Sequence, residues 1–147
     1  YNSINQLLPK ETDYCIVLYE DSHNSGHWCV ISRYLDKKDT IEFFDPYGNI
    51  FDKQLDWTPL ETRKQLGEGR KILTPLLDCC TQKVVWNPIK YQKESSSIND
   101  CGRHCVYRTI CMKKGMNLDQ YFKHIKEIEK SSGMDADSIV SSQIDIT

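Results

Sequence analysis

Asp100-Cys101-Gly102 lies where a polar loop runs into a stretch of helical periodicity, a place where a thiol can act as a nucleophile. The unpaired N–H groups and the positive end of the helix dipole favour a thiolate there. Gly102 leaves space for a substrate carbonyl to approach the backbone, and the N–H of Cys101 can itself donate to an oxyanion. A thiol nucleophile needs a base within hydrogen-bond reach, usually histidine. Of the four histidines, His27 opens an expected strand just after Ser25-Gly26, at the mouth of a sheet. His104 sits three residues along the Cys101 helix and is awkwardly placed to turn back; His23 falls in a loop and His124 on the polar side of the last helix. Asp45, at the end of another expected strand, can fix the tautomer of His27 and steady its imidazolium. Trp28 can shield the imidazole from water, and Gln92, in the loop before Cys101, can offer a second oxyanion donor. Taken singly these are a core thiol, a core Trp, a turn Asp before Pro and a surface Gln; their company points to acyl transfer.

Two other chemistries use overlapping residues. Cys101, His104 and Cys105 share one helix and, with Cys79 and Cys80, could be imagined as a structural zinc site. Zinc sites pair their ligands at C-x₂₋₄-C spacing, which adjacent cysteines fit poorly, so this alternative ranks below hydrolysis. The other alternative is a non-catalytic module that binds a ubiquitin-like protein; a complete set of catalytic side chains in order argues against it.

Positioning these groups requires a sheet and a helix. Tyr14 to Tyr19, His27 to Tyr34 and Thr40 to Asp45 are apolar, aromatic and β-branched runs separated by polar turns, and read as neighbouring antiparallel strands. Pro46 and Gly48 end the third. Thr58-Pro59-Leu60-Glu61 carries helix-start signals, and Gly67 and Gly69 stop that helix. Thr74-Pro75 opens a further helical turn through Cys80, and Lys83 to Asn87 reads as a fourth strand. A helix is expected from Cys101 to about Lys114, with Asn99 or Asp100 as N-cap and Cys105, Val106, Thr109, Ile110 and Met112 at helical spacing. Leu118, Tyr121, Phe122, Ile125 and Ile128 form the apolar stripe of another.

The length of 147 residues suits one domain, over positions 1–130, and positions 131–147 read as a polar C-terminal tail or linker. With 39% hydrophobic and 27% charged residues the chain is globular in type and not disordered. A net charge of −2 with dispersed Lys and Arg gives no footprint for nucleic acid, so none is expected as a partner. No apolar run is long enough to span a membrane, and positions 1–10 do not read as a signal peptide, although an excised piece of a larger protein would hide one. Seven cysteines in a chain rich in strand and helix patterns suggest a reducing setting, in the cytoplasm or nucleus of a host cell or in a virion, with most thiols as core residues. No metal or cofactor is expected.

Gly26-His27-Trp28, then Phe44-Asp45-Pro46-Tyr47-Gly48, then Gln92 and Asp100-Cys101-Gly102 resemble the adenovirus-type and SUMO-protease clan of cysteine peptidases, whose chain order is His, Asp or Glu, Gln, Cys. The resemblance covers positions 14–114. It implies an α+β, papain-like fold with a central, mostly antiparallel sheet flanked by helices. It also implies Cys101 as nucleophile, His27 as base, Asp45 as its orienter, Gln92 and Cys101 as oxyanion donors, and Trp28 and Gly102 at the substrate cleft. Relatives of this kind cut after glycine, because their narrow cleft admits no side chain near the scissile bond. The substrate would be a viral precursor polypeptide or a ubiquitin or ubiquitin-like conjugate. The short chain and the run Cys101-Gly102-Arg103-His104-Cys105 are closest to the viral and mobile-element branch. Gln92 precedes Cys101 by nine positions, further than in the resembled pattern, whose Gln falls where this chain has Glu94 and Ser95, and Asn99 is the substitute donor.

Overall fold

The structure, a computed structural model, describes residues 1–93 and 100–144. A single helical turn, α1 (Ile4–Leu7), precedes the strand β1 (Tyr14–Ser22), which pairs antiparallel with β2 (Ser25–Arg33) from Tyr14↔Ser32 to Glu20↔Gly26. Asn24, in the left-handed region at φ 57°, closes the turn between them. At Gly26 a Cβ would lie 1.9 Å from the carbonyl oxygen of Tyr19, so only glycine lets the β1 backbone pass this close, immediately before His27. The strand β3 (Thr40–Phe44) pairs antiparallel with β2 from Arg33↔Ile41 to Val30↔Phe44. The chain then crosses over through a 3₁₀ turn at Lys53–Trp57, α2 (Leu60–Leu66) and α3 (Leu73–Asp78) to β4 (Lys83–Trp86), which lies parallel to β3. The fold is therefore α+β around a four-stranded mixed sheet of order β1-β2-β3-β4.

Three further helices follow: α4 (Cys101–Lys113), α5 (Leu118–Ser132) and α6 (Ala136–Gln143). The middle strands are buried on both faces. Cys29, Ile31, Ile41 and Phe43 pack with Ile4, Leu8, Leu73, Leu76 and Leu77 on one face. Val30 and Phe44 pack with Cys105, Tyr121, Ile125, Ile139 and Val140 on the other. Near-continuous apolar runs in β2 and β3 follow from being covered on both sides.

Three expectations are corrected. Where positions 131–147 are expected as a tail, the described residues to 144 are not one: α5 continues to Ser132, and α6 docks Ala136, Ile139 and Val140 into the core. Asp135 caps that helix by accepting from the Ser138 N–H at 2.9 Å, a local signal that was present in the sequence. On α4, Val106 and Ile110 are exposed, whereas His104 and Arg108 are fully buried. Burial of these polar groups is permitted because each is paired. Arg108 holds Glu42 of β3 by two hydrogen bonds (Nε–Oε2 2.9 Å) and donates to the Met116 carbonyl, while its guanidinium lies 4.9 Å from the Tyr121 ring centroid. That pair ties the helix bearing Cys101 to the strand that ends at Asp45. Thirdly, Asp100 precedes α4 without capping it through its side chain; its carboxylate takes the Arg103 guanidinium at 2.8 Å instead. The other cap candidate, Asn99, lies outside the described residues.

Candidate active site

Three elements meet at one end of the sheet. The β2–β3 ladder ends at Val30↔Phe44, so Asp45 leaves the sheet beside the first residues of β2, and α4 packs its N-terminal turn against the same strand. His27 and Asp45 are both buried, with Nε2 2.6 Å from Oδ1. Cys101, 1% exposed at the first position of α4, accepts the Trp28 N–H on its Sγ at 3.4 Å and is hydrogen-bonded to the His27 ring. With Nε2 committed to Asp45, the ring has Nδ1 left for the thiol. The structure thus brings Cys101, His27 and Asp45 into one continuous hydrogen-bonded chain.

The Asp45 carboxylate is itself fixed. Its Oδ1 also accepts the Tyr47 N–H at 2.7 Å, its Oδ2 accepts from Asn49 at 3.3 Å, and its carbonyl accepts from Asn87 at 3.0 Å. Gly48, at φ 78°, closes this turn and lies so near the Ile89 backbone that a Cβ would meet it at 2.8 Å. Tyr47 stacks on the imidazole with centroids 4.4 Å apart and planes 15° from parallel, covering one face of the ring. Burial works against a charged imidazole here. Hydrogen bonds to Asp45 and to Cys101, and the charges of both, outweigh it and raise the His27 pKa from 6.5 to about 9.

Gln92 is 2% exposed and its backbone N–H donates to the Pro46 carbonyl at 3.0 Å, which places the residue against the Asp45 turn. Its side-chain Oε1 is buried without a partner among the described residues. Glu94, Ser95 and Asn99 lie outside those residues. A Cβ on Gly102 would meet only Trp28 Cδ1, at 3.9 Å, so the backbone at Gly102 is open beside the indole. Residue reading missed Tyr47, Asn49 and Asn87. Tyr47 had a signal, two positions after Asp45 in an Asp-Pro-Tyr-Gly turn; Asn87 had none, because its contact spans 42 positions.

His104 does not converge with Cys101 and Cys105 on a metal. Its Nε2 donates instead to Asp137 of α6 at 2.8 Å, and the Cys105 thiol donates to the Trp28 carbonyl at 3.4 Å. Among the described residues the group with metal-type donors close together is His27, Cys29 and Asp45, within 4.8 Å of one another. There, however, the short His27–Asp45 hydrogen bond takes the place a metal would need. Cys29 is a fully buried core thiol whose pKa is raised by burial and by the charges of Asp45, Cys105 and Cys101. All seven cysteines are free thiols. No helix among the described residues is long and apolar enough to cross a membrane.

No protein-family model matches the chain. Over 114 residues it is 32% identical to the uncharacterized protein V9 of the Sputnik virophage, a match covering 78% of this chain and 63% of that protein. The chain therefore spans less than two thirds of the length of this viral relative.

Proposed function

We propose that this chain is a papain-like cysteine peptidase that cuts peptide or isopeptide bonds after glycine. The observation that carries the reading is the buried chain Cys101–His27–Asp45, assembled from residues 74 and 18 positions apart around the first turn of a helix. A structural thiol needs no base and a structural histidine needs no thiol, so the three together are best explained by nucleophilic catalysis. Cys101 Sγ attacks the scissile carbonyl carbon and the tetrahedral oxyanion faces the Cys101 N–H and the Gln92 amide. The imidazolium of His27 then gives its proton to the leaving amine, leaving a thioester on Cys101. A water molecule, deprotonated by His27, attacks that thioester; the C–S bond breaks, the acid product is released, and the Cys101 thiolate is left beside the His27 imidazolium, ready for another cycle. Asp45 keeps the ring in the tautomer that both steps need.

The open backbone at Gly102 leaves room for a substrate strand to approach the nucleophile, and the cut after glycine is what the resemblance to the peptidase clan implies. Similarity to a virophage protein favours a viral precursor polypeptide over a ubiquitin-like conjugate as substrate, acted on in the host cell or in the virion. Two probes separate these: a glycine-ended peptide and a ubiquitin-like protein, each bearing a thiol-reactive C-terminal trap. Covalent capture at Cys101 by the peptide alone supports precursor cleavage, and capture by the protein probe supports conjugate cleavage. No capture by either, with iodoacetamide labelling spread evenly over Cys15, Cys79 and Cys101, would refute the peptidase reading.

A further inference from the structure

Nine positions separate Gln92 from Cys101 in the chain, too many for backbone continuity alone to set where one lies relative to the other. Contacts from α6 do it instead. The peptide on the far side of Gln92 donates through the Lys93 N–H to Asp137 Oδ2 at 3.1 Å, and the other oxygen of that carboxylate takes His104 Nε2 at 2.8 Å. His104 is one helical turn after Cys101 and is wholly buried; Asp137 is 6% exposed. On its near side Gln92 is held by its own N–H on the Pro46 carbonyl, next to Asp45. Gln92 is thus flanked by two backbone anchors, one on the turn that carries Asp45 and one on a carboxylate that also grips the Cys101 helix. Asp135 adds an exposed ion pair to the Lys93 ammonium at 2.7 Å, and Arg103 donates to the Ile144 carbonyl at 3.3 Å, so both ends of α6 are tied to the same region.

We propose that Asp137 is a positioning residue for the reaction, fixing the Gln92 backbone relative to the nucleophile helix so that the Gln92 amide meets the oxyanion. This rests on the peptidase reading above and makes α6 part of the machinery, not merely of the core. A carboxylate suits the task because it accepts from two donors at once. Asparagine at this position would turn one donor of its own toward either His104 or Lys93. Both anchors could then survive only if His104 moved its ring proton to Nδ1, a buried atom with no hydrogen-bond partner among the described residues, so the substitution weakens the pair.

The test is a double-mutant cycle on the whole chain, read with a fluorogenic peptide that has glycine at the scissile bond. Asp137→Asn should lower kcat and kcat/KM together by about 10- to 100-fold with KM changed less than about twofold, since a misplacement of about 1 Å is enough to cost that much. In a Gln92→Ala background the same substitution should cost less than about twofold more, because the group it positions is gone. Iodoacetamide alkylation of Cys101 should keep its rate in Asp137→Asn, since the thiol and His27 are untouched. Losses that multiply across the cycle, or a fall in Cys101 alkylation equal to the fall in kcat, would overturn the positioning role and leave Asp137 as general support for the fold. Should Asp137→Asn not fold, amide exchange on the unmodified protein decides: the Lys93 N–H is expected to exchange as slowly as core amides, and exchange at the rate of an open loop overturns the proposal. A native chain that neither cleaves the peptide nor alkylates selectively at Cys101 would instead refute the peptidase reading, a result distinguishable from both.

Discussion

Replacing Asp45 by Asn removes one charge and leaves an oxygen of nearly the same shape beside His27, so it isolates what the carboxylate does. In the native protein the His27 pKa stands at about 9 against an ordinary 6.5, a difference on the order of 3 kcal/mol in favour of the imidazolium. Burial opposes that charge, so hydrogen bonding and attraction from Asp45 and Cys101 must exceed it. In Asp45→Asn the Cys101 contact remains while burial persists, and the pKa should fall by at least one unit, or about tenfold. At pH 8 the native ring is about nine-tenths protonated, and a fall of one unit leaves it about half protonated. The ring-proton shifts of His27, followed by NMR from pH 5 to 10, read this directly. Stability carries the same signature. A folded pKa above the unfolded one contributes stability that is complete below about 6.5 and is lost as pH rises through about 9. Urea unfolding of the native chain should therefore weaken by on the order of 3 kcal/mol across that window, and the variant's curve should be flatter by at least one unit's worth. Superimposable titrations, or stability curves that run parallel across pH 6.5 to 9, would refute the assignment of Asp45 as the group that charges His27.

Other outcomes follow from the same contacts. Cys101→Ala should abolish turnover and selective iodoacetamide labelling while circular dichroism stays native, and should also lower the His27 pKa, since the thiol is one of the groups that raise it. His27→Ala should cost more rate than Asp45→Asn, measured with the same peptide, because an imidazole in a poorer tautomer still transfers protons and a methyl group does not. Gln92→Ala should lower kcat and kcat/KM together by about 10² to 10³ with KM little changed, as expected for a donor used only in the transition state. Glu42→Gln, remote from the chemistry, should reduce unfolding free energy in urea by about 3–5 kcal/mol, because it leaves Arg108 charged and buried without its counter-ion.

The helix starts and stops show how far local reasoning reaches. Gly67 at φ 83° ends α2, and the capping box of Asn117 with Gln120 opens α5; both act within a few residues. The same holds for the stripe that buries Tyr121 and Ile125 and for the apolar, β-branched runs of the middle strands. Where α4 was misjudged, the cause lay elsewhere in the chain. Hydrophobicity alone ranks Val106 and Ile110 above His104 and Arg108 for burial. The order reverses because Asp137 and Glu42 wait at distances of 33 and 66 positions.

By itself, then, the sequence determined the strands, the helices α2 to α5 and the candidates for the site: a thiol at a helix start, a histidine opening a strand and an aspartate closing one. Those follow from backbone sterics, side-chain periodicity and capping, all of which act over one or two turns of chain. Only the tertiary structure decided that Asp45 meets Nε2 of His27 at 2.6 Å, that Tyr47 covers the ring, and that α6 closes on the core. It also decided the partner of His104. Such pairings are set by which buried donor finds which buried acceptor once the layers have packed, and unpaired burial is so costly that a residue's neighbour in space, not in sequence, dictates its role.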